Sequence, residues 1–486
     1  MRFSIALSAM LLAATSGAAL AQEGPLPSAA PHAIAPTPGQ PSTPLTLDEV
    51  LGSSARAAPD IIAALARTRQ AEGRSLTADG AFDTVFSVDA QSRVEGYYDG
   101  SQVTGKAERP FTDNGGYVYG QYRNSRGEFP VYEDKAYTNR LGEVKVGALY
   151  SLMRDRLIDA RRANRGMAQN DIDITRFETR ATSIGVQARA TEAYQKWVAT
   201  GLKLKAYQAL YDLAARRSRG IERQVGLGAK PQILLTENEA NMVKREALVV
   251  EAEQEFLAAA NKLSLYYRDA QGLPVIVDAA RLPADADALN AMRIDPFFEI
   301  ENRPDFGILV EEIEQATIKM ALAQNDLRPK LDLKGEVAKD IGPEGLGGYS
   351  RTPLEVIMGV SLKIPLQNRK AKGKIAESQA KMDELSVKQR YLAEKIRAEV
   401  AGIGIEVETA RKLADTTVRQ RDLAGKLAQA ERRRFELGSS DFFLVNQREE
   451  AATDAEVKLI EARARIAAAR AQLAAATADE GALGLD

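Results

Sequence analysis

The sequence predicts a mainly α-helical fold with a small transmembrane β part, and three observations support this fold class. Two long stretches of helical composition each end at a glycine, in RQVGLGAKPQILL (223–235) and in RRRFELGSSDFFLVNQ (432–447). Four short segments instead alternate apolar and charged residues, which is the period of a β-strand. The same order of elements occurs twice along the chain. These observations predict two internal repeats, each with a long helical hairpin and two strands.

The N-terminal segment is typical of an exported protein. Residues 1–21 combine a basic residue at position 2, a short apolar run and the small-residue site Ala19-Leu20-Ala21. They are predicted to be a secretory signal peptide, so that the mature chain begins at Gln22. Residues 22–44 are rich in proline and alanine and are predicted to be a linker. No later stretch reaches 18 consecutive apolar residues, so no transmembrane helix is predicted.

The composition excludes several classes of function. Among 486 residues there is no cysteine, and the single histidine, His32, lies in the predicted linker. Catalytic triads and Cys/His metal clusters are therefore not expected, and no catalytic, cofactor-binding or metal-binding residues are predicted. The formal net charge of −2 gives no electrostatic footprint for nucleic acid. An exported enzyme is accordingly disfavoured.

The first predicted repeat spans residues 45–268. A helix over about 47–78 is followed by a strand over 82–96, a loop over 97–142 and a second strand over 143–152. A long helix from about 155 to 225 comes next, and at 1.5 Å per residue it is about 105 Å long. Steps of four and three residues along this helix define an apolar heptad seam. The seam consists of Val186, Ala190, Ala193, Trp197, Thr200, Leu204, Tyr207, Tyr211, Ala214, Ser218, Ile221 and Val225.

The second predicted repeat, over residues 299–478, has the same order of elements. It follows a linker over 269–298 and precedes a C-terminal tail over 479–486. Its elements are a helix over 302–327, strands over 331–337 and 354–364, a long helix over 369–437 and a return helix with its own seam from 455 to 476. In both repeats a glycine ends the long helix, because glycine readily adopts the positive φ that terminates a helix. We therefore expect hairpin tips at Gly226 and Gly438.

The four strands alternate apolar and charged faces, as in LEVIMGVSLKI (354–364). In the first strand, Phe82, Phe86, Val88, Ala90 and Val94 share the apolar face. A soluble sandwich also alternates, but it usually needs about seven strands. The pattern favours a transmembrane barrel, and because such barrels have at least eight strands, several chains must share one. Three chains with four strands each would supply twelve. The loop over 97–142 holds seven tyrosines, and we expect a lid over the barrel mouth rather than a carbohydrate- or phage-binding surface.

Six motifs in order resemble the TolC-like outer-membrane efflux protein family, over about residues 44–478. LTLDEVLGSSARAAPDI (45–61) resembles its opening helix, and ENRPDF (301–306) and NDLRPKLDLKGEV (325–337) resemble the start of its second repeat and its third strand. VSLKIPL (360–366) resembles the passage from the fourth strand into the long helix. QVGLGA (224–229) and FELGSSDFFLV (435–445) resemble the two hairpin tips.

The resemblance implies a homotrimer in outer-membrane lipid, with a 12-stranded β-barrel continued by a helical barrel in the periplasm. It also implies that the protein is the exit duct of a tripartite efflux or type I secretion system. The implied partners are a periplasmic adaptor (membrane fusion) protein and an inner-membrane pump or ABC transporter. An exported coiled-coil structural or adhesive protein is the alternative. The cargo is not identified by the sequence.

The resemblance also implies two kinds of site near the tips. The predicted adaptor-docking residues are Val225, Gly226, Leu227, Leu437, Gly438 and Ser439. The tunnel entrance of the family is often narrowed by aspartates six and nine residues after the second tip glycine, where this chain has Leu444 and Gln447. Gln232 stands six residues after Gly226, and Asp441 is a candidate to replace the missing acidic ring. A basic rim, defined as Arg219, Arg223, Arg433 and Arg434, either meets acidic adaptor tips or simply places cations at helix C-termini.

Overall fold

The computed structural model describes residues 43–290, 292, 298–347, 351 and 353–485. The predicted signal peptide, His32 and almost all of the predicted linker over 22–44 lie outside the described residues. The described part of the chain combines long α-helices with one small β-sheet. This architecture confirms the predicted mainly helical fold class at a coarse level.

The helices of the described residues occur in two groups along the chain. The first group is α1 (Leu47–Ala57), α2 (Pro59–Asp79), α3 (Ala160–Gly226) and α4 (Ile233–Leu263). The second group is α5 (Pro304–Asn325), α6 (Arg369–Glu436) and α7 (Phe442–Thr477). The predicted long helices are confirmed, and α3 with 67 residues and α6 with 68 are equal in length to within one residue. Each is about 100 Å long at 1.5 Å per residue.

The strands of the described residues form one antiparallel sheet in sequence order, β1-β2-β3-β4-β5-β6. They are β1 (Val85–Ser92), β2 (Ser101–Pro110), β3 (Tyr117–Arg126), β4 (Glu143–Ser151), β5 (Lys330–Asp340) and β6 (Glu355–Lys363). The prediction of four strands per chain is wrong, because the segment predicted as a loop over 97–142 contains β2 and β3. A lid over the barrel mouth is therefore wrong for residues 101–126.

The first predicted strand is also too long. Phe82 lies in a short 3₁₀ helix and is buried, and β1 begins only at Val85. Val94 lies beyond the end of β1 and is fully solvent-exposed rather than part of the sheet. The other three predicted strands agree with β4, β5 and β6 to within three residues at each end.

The main hydrophobic core lies midway along the long helices, where α3, α4 and α7 pack with α1. Trp197 is fully buried and stacks on Phe256 of α4, with ring centroids 6.0 Å apart. A Cβ added at Gly201 would lie 2.6 Å from Leu282 and 2.9 Å from Phe256, so only glycine permits this close approach. The upper part of the α3 seam, from Val186 to Thr200, is buried, and so is most of the α7 seam. The seams therefore face inward, as the heptad pattern predicts.

The two junctions between sheet and long helix are built differently. At the start of α3, the Arg162 guanidinium donates to four backbone carbonyls, those of Asp113, Asp155, Arg156 and Leu157, at 2.7–3.1 Å. Its Nε also donates to the Asp159 carboxylate at 2.7 Å, and Asp159 caps the helix. These contacts form what we term the Arg162 collar.

At the start of α6 the cap residue is Asn368, which lies in the left-handed region with φ +49° and makes no side-chain capping hydrogen bond. The β4–α3 junction is therefore tightly bonded, whereas the β6–α6 junction lacks a comparable collar among the described residues.

Candidate functional site

The sheet has one exposed apolar face. Residues paired across neighbouring strands lie on the same face, and the registers join Val88 to Gly105, Gly105 to Tyr122, and Tyr122 to Val144. They also join Val146 to Val337 and Val337 to Val356. The large side chains of this face that are exposed are Phe86, Val88, Val103, Val118, Tyr122, Val144, Val146, Tyr150, Val337, Val356, Met358, Val360 and Leu362. A continuous exposed apolar surface of this kind marks contact with lipid or with another protein.

The opposite face of the sheet is charged. Glu143 of β4 pairs with Arg123 of β3 at 2.8 Å and with Lys145 at 3.6 Å. On β5, Glu336 pairs with Lys334 at 2.7 Å and also accepts a hydrogen bond from the Tyr119 hydroxyl of β3. Arg123, Glu143, Lys145 and Glu336 line a cavity on this face. Apolar side chains outside and charged side chains inside are typical of a transmembrane barrel.

The first hairpin tip differs from the prediction at one position. Gly226 is the last residue of α3 and has no positive φ, whereas Gly228 has φ +72°. The amide of Leu227 donates to the Arg223 carbonyl at 3.0 Å, and the amide of Gly228 donates to the Val225 carbonyl at 2.9 Å. The expected left-handed glycine is therefore Gly228, two residues later than predicted, because α3 continues through Gly226.

The second tip has the predicted geometry and matches the first. Gly438 has φ +76°, and its amide donates to the Phe435 carbonyl at 3.0 Å. Ser439 donates to the Arg434 carbonyl at 2.8 Å, as Ala229 does to Gln224 at 2.9 Å in the first tip. The residue before each left-handed glycine is strongly exposed, with Leu227 at 79% and Leu437 at 83%. Both tips therefore present a leucine to solvent at the far ends of α3 and α6.

The tunnel-entrance candidates occupy different environments. Asp441 is the N-cap of α7 and its carboxylate accepts from the Leu444 amide at 2.7 Å, so its role here is to cap a helix. Gln232 is exposed at the start of α4, Gln447 is exposed, and Leu444 is half-buried. Counted from the left-handed Gly228, the position six residues on is Leu234, so Gln232 no longer matches the family's aspartate position.

The arginines near the tips divide into two groups. The four residues of the basic rim are exposed. Arg217 and Arg432, by contrast, turn inward toward Glu449 of α7. The Nη2 of Arg217 donates to Glu449, and the Nε of Arg432 donates to the same carboxylate at 3.2 Å. The sequence does not distinguish the exposed arginines from the inward-turned ones, because all of them lie on the last turns of long helices.

A third arginine completes this buried site, which sequence reasoning missed. Arg245 of α4 is fully buried, and its Nη2 lies 3.4 Å from Glu449 and 3.2 Å from the Asn446 amide oxygen. Burial lowers the pKa of Arg245, and the Glu449 carboxylate raises it in part. We call Arg217, Arg245, Arg432, Asn446 and Glu449 the Glu449 cluster. It joins α3 and α4 to α6 and α7 close to the tips.

The described part of the chain contains neither a membrane-spanning helix nor a candidate metal-binding group. No helix there is long and apolar enough to cross a membrane. No group of three or more His, Cys, Asp or Glu side chains there is arranged to hold a metal ion.

The comparisons with known proteins agree with this geometry. Residues 299–479 match the family described as "Outer membrane efflux protein". No curated protein matches the chain. Three solved structures have the same fold. The MtrE outer membrane channel of Neisseria gonorrhoeae in its open state has a TM-score of 0.62 and 14% identity, and the match covers 93% of this chain and 94% of MtrE.

The other two are similar to this chain to the same degree. The CmeC outer membrane channel of Campylobacter jejuni has a TM-score of 0.59 and 13% identity, and the match covers 93% of this chain and 91% of CmeC. The outer membrane protein VceC of Vibrio cholerae has a TM-score of 0.58 and 14% identity, covering 90% of this chain and 97% of VceC. At these identities the likeness establishes the fold. The resemblance to TolC-like outer-membrane efflux proteins is therefore confirmed: residues 299–479 match the model of the outer membrane efflux proteins, and the described chain has the fold of the CmeC and MtrE outer membrane channels.

Proposed function

We propose that the protein is the outer-membrane exit duct of a tripartite efflux or type I secretion system, with its helical part in the periplasm. The observation that carries this proposal is the sheet, which has one exposed apolar face and one charged face and continues into helices about 100 Å long. Contact with bilayer lipid removes the apolar face from water, and the charged face then lines an aqueous path. The match of residues 299–479 to the outer membrane efflux proteins supports the same function.

We also propose that three copies form the duct, and two features support this. In the described chain the outer strands β1 and β6 each pair on one side only, so the sheet offers two open edges to neighbouring copies. The helix α6 exposes large apolar side chains along its length, among them Val387, Tyr391, Ile405 and Leu423. Contact with a second copy of this chain would bury them. The two internal repeats remain a prediction.

Docking of a periplasmic adaptor at the tips is part of the same proposal. Leu227 and Leu437 project into solvent at the ends of the hairpins, and the basic rim lies beside them. An adaptor with a small apolar contact and acidic flanks would complement this surface. The inner-membrane pump or ABC transporter would be reached through the adaptor.

Separation of inner and outer membranes, followed by chemical crosslinking in detergent, tests location and copy number. We expect the mature protein in the outer membrane as a crosslinked trimer. Recovery in the soluble fraction would favour the alternative, an exported coiled-coil structural or adhesive protein.

A photo-crosslinking amino acid at Leu437 tests the docking site in intact cells. We expect it to capture an adaptor, whereas the same group at Leu366 should not. Leu366 is the matched control because it is equally exposed, at 88%, but lies at the sheet end of α6. Capture of the adaptor at Leu366 and not at Leu437 would contradict docking at the tips.

A further inference from the structure

The hairpin β2–β3 is inserted into the sheet rather than attached to its surface. In the β1–β2 pair, Val85 lies opposite Glu108 and Ser92 lies opposite Ser101. In the β3–β4 pair, Tyr117 lies opposite Leu149 and Arg123 lies opposite Glu143. β1 and β4 are therefore separated by two strands. With strands about 4.8 Å apart, removing the hairpin would leave a gap of roughly 14 Å between β1 and β4. A wall made only of β1, β4, β5 and β6 is not compatible with this sheet.

Both strands of the hairpin have the length of a membrane span. β2 and β3 each contain 10 residues, and β1, β4, β5 and β6 contain 8, 9, 11 and 9. A tilted transmembrane β-strand needs about 9–11 residues. The hairpin is thus as long as the strands that flank it.

The hairpin also continues the two faces of the sheet. Val103, Gly105 and Ala107 of β2 and Val118, Gly120 and Tyr122 of β3 lie on the apolar face, by their register with the neighbouring strands. Arg109 and Asn124, close to the ends of β2 and β3, are the polar residues of the hairpin on this face. The alternate positions are polar. They are Gln102, Thr104, Lys106 and Glu108 on β2 and Tyr119, Gln121, Arg123 and Ser125 on β3. The charge pairs Lys106–Glu108 at 2.5 Å and Arg123–Glu143 at 2.8 Å both lie on the charged face.

The turn of the hairpin is bonded to the helical end of the sheet. The buried Asn114 side chain donates to the Ser151 carbonyl at 2.9 Å, at the end of β4. Gly115 donates to the Asp155 carbonyl at 2.9 Å, and Arg161 of α3 donates to the Gly115 carbonyl at 3.0 Å. Asp113 belongs to the Arg162 collar. The hairpin therefore extends from one end of the sheet to the other, with its turn at the end next to the helices. A lid would instead lie beyond the opposite end of the sheet.

We infer that the β2–β3 hairpin spans the outer membrane as part of the barrel wall, with its apolar face in contact with bilayer lipid. Each chain then contributes six strands, and three chains contribute 6 × 3 = 18 rather than twelve. This inference rests on the proposed outer-membrane location and trimer. Barrel diameter grows roughly linearly with strand number, so the wall is about one and a half times as wide as a twelve-stranded wall of similar tilt.

The absence of cysteine from the chain makes a spin-label test direct. Single variants V103C, A107C and V118C place a nitroxide on the apolar face, and T104C, K106C and Q121C place it on the charged face. The labelled trimer is reconstituted into phosphatidylcholine vesicles. We expect the first three labels to collide mainly with oxygen, which partitions into lipid, and the second three mainly with a water-soluble nickel chelate.

Matched labels on the flanking strands distinguish a failure of the hairpin inference from a failure of the proposed outer-membrane location. V146C and V360C should report lipid, and K145C and S361C should report water. If these controls alternate and all six hairpin labels report water, the hairpin is not in the membrane and only the inference fails. If the controls also report water throughout, the outer-membrane location fails as well. An electron-microscopy projection along the barrel gives the second readout, because eighteen strands support the inference and twelve overturn it.

Discussion

The helices α3 and α6 have the same length but different surroundings. Helix α3 packs against α2, α4, α5 and α7, and its middle third, around Trp197, is largely buried. Helix α6 packs mainly against α5 and α7 and leaves Tyr391 and Ile405 about two-thirds exposed. Because an apolar side chain gains stability only when it is buried, α3 is stabilised within its own chain and α6 requires a neighbour. The difference is consistent with the proposal that copies of the chain meet along α6.

The largest effect is expected at the Glu449 cluster, where the two hairpins meet. The change Glu449→Gln leaves Arg245 buried without a carboxylate, and breaking such a pair costs about 3–5 kcal/mol. The midpoint of thermal unfolding of the purified trimer, followed by circular dichroism at 222 nm, should fall clearly.

The matched control for this change is Glu450→Gln. Its pair with Lys244, at 2.7 Å, lies at the surface, with the lysine side chain 62% exposed, and such a pair contributes at most about 1 kcal/mol. Equal midpoints for the two variants would show that the cluster does not hold the hairpins together.

The next effect concerns the sheet, where the first and second halves should respond alike. A lysine on the lipid face near the middle of the membrane costs about 2–4 kcal/mol. Val146→Lys on β4 and Val360→Lys on β6 should both reduce the amount of folded trimer, measured by its heat-dependent migration on gels.

Two controls sharpen this comparison. Lys363→Gln changes the charged face, and Val94→Lys changes an exposed residue beyond β1, so both should assemble normally. Normal assembly of Val360→Lys would contradict the assigned lipid face.

A smaller effect distinguishes α6 from α3 directly. Ile405 is 70% exposed in one chain, and burying it against a neighbour is worth about 1.5–3 kcal/mol. Ile405→Ala should therefore lower the temperature at which the trimer dissociates in detergent. Lys388→Ala, on a different face of the same helix, should leave that temperature unchanged, since the lysine is exposed and its ion pair is with Glu384 on its own helix. If both variants behave like the wild type, α6 does not form the contact between copies.

The smallest effect on stability, and a large one on function, is expected at the tips. Valine at Gly228 or Gly438 must adopt a left-handed conformation that costs about 1–2 kcal/mol, so both changes should distort the tip and reduce export. Gly226→Val should be tolerated, because Gly226 is helical and an added Cβ has open space. Trimer level by immunoblot and efflux or secretion are measured in the same cells. Loss of export with Gly226→Val alone would contradict this reading of the first tip.

The helical part of the fold could be predicted closely from the sequence, because long heptad seams carry a strong periodic signal. The seam residue Trp197 is buried as expected, and α6 begins at Arg369 as predicted. The first tip was predicted two residues early because QVGLGA contains two glycines, and only backbone geometry distinguishes the helical Gly226 from the left-handed Gly228.

The hairpin β2–β3 escaped prediction because its apolar positions carry small side chains. Gly105, Ala107 and Gly120 give a weak alternation, and the segment contains many polar residues, as loops do. The signal that could have found it is the alternation of Val103, Gly105 and Ala107 with Thr104, Lys106 and Glu108. The Glu449 cluster could not be predicted either, because its members come from four helices and their distances in sequence exceed 200 residues for Arg217 and Arg245.

The unequal junctions described above have a mechanical consequence. The Arg162 collar holds the start of α3 with five side-chain hydrogen bonds, whereas Asn368 makes no side-chain capping bond at the start of α6, so we expect α6 to tilt more easily than α3. On a lever about 100 Å long, each degree of tilt at the joint moves the far end by about 1.7 Å. A load on the tips therefore deflects the second hairpin more than the first. The Glu449 cluster joins the two hairpins near the far ends of α3 and α6. We therefore expect it to make the two hairpins move together.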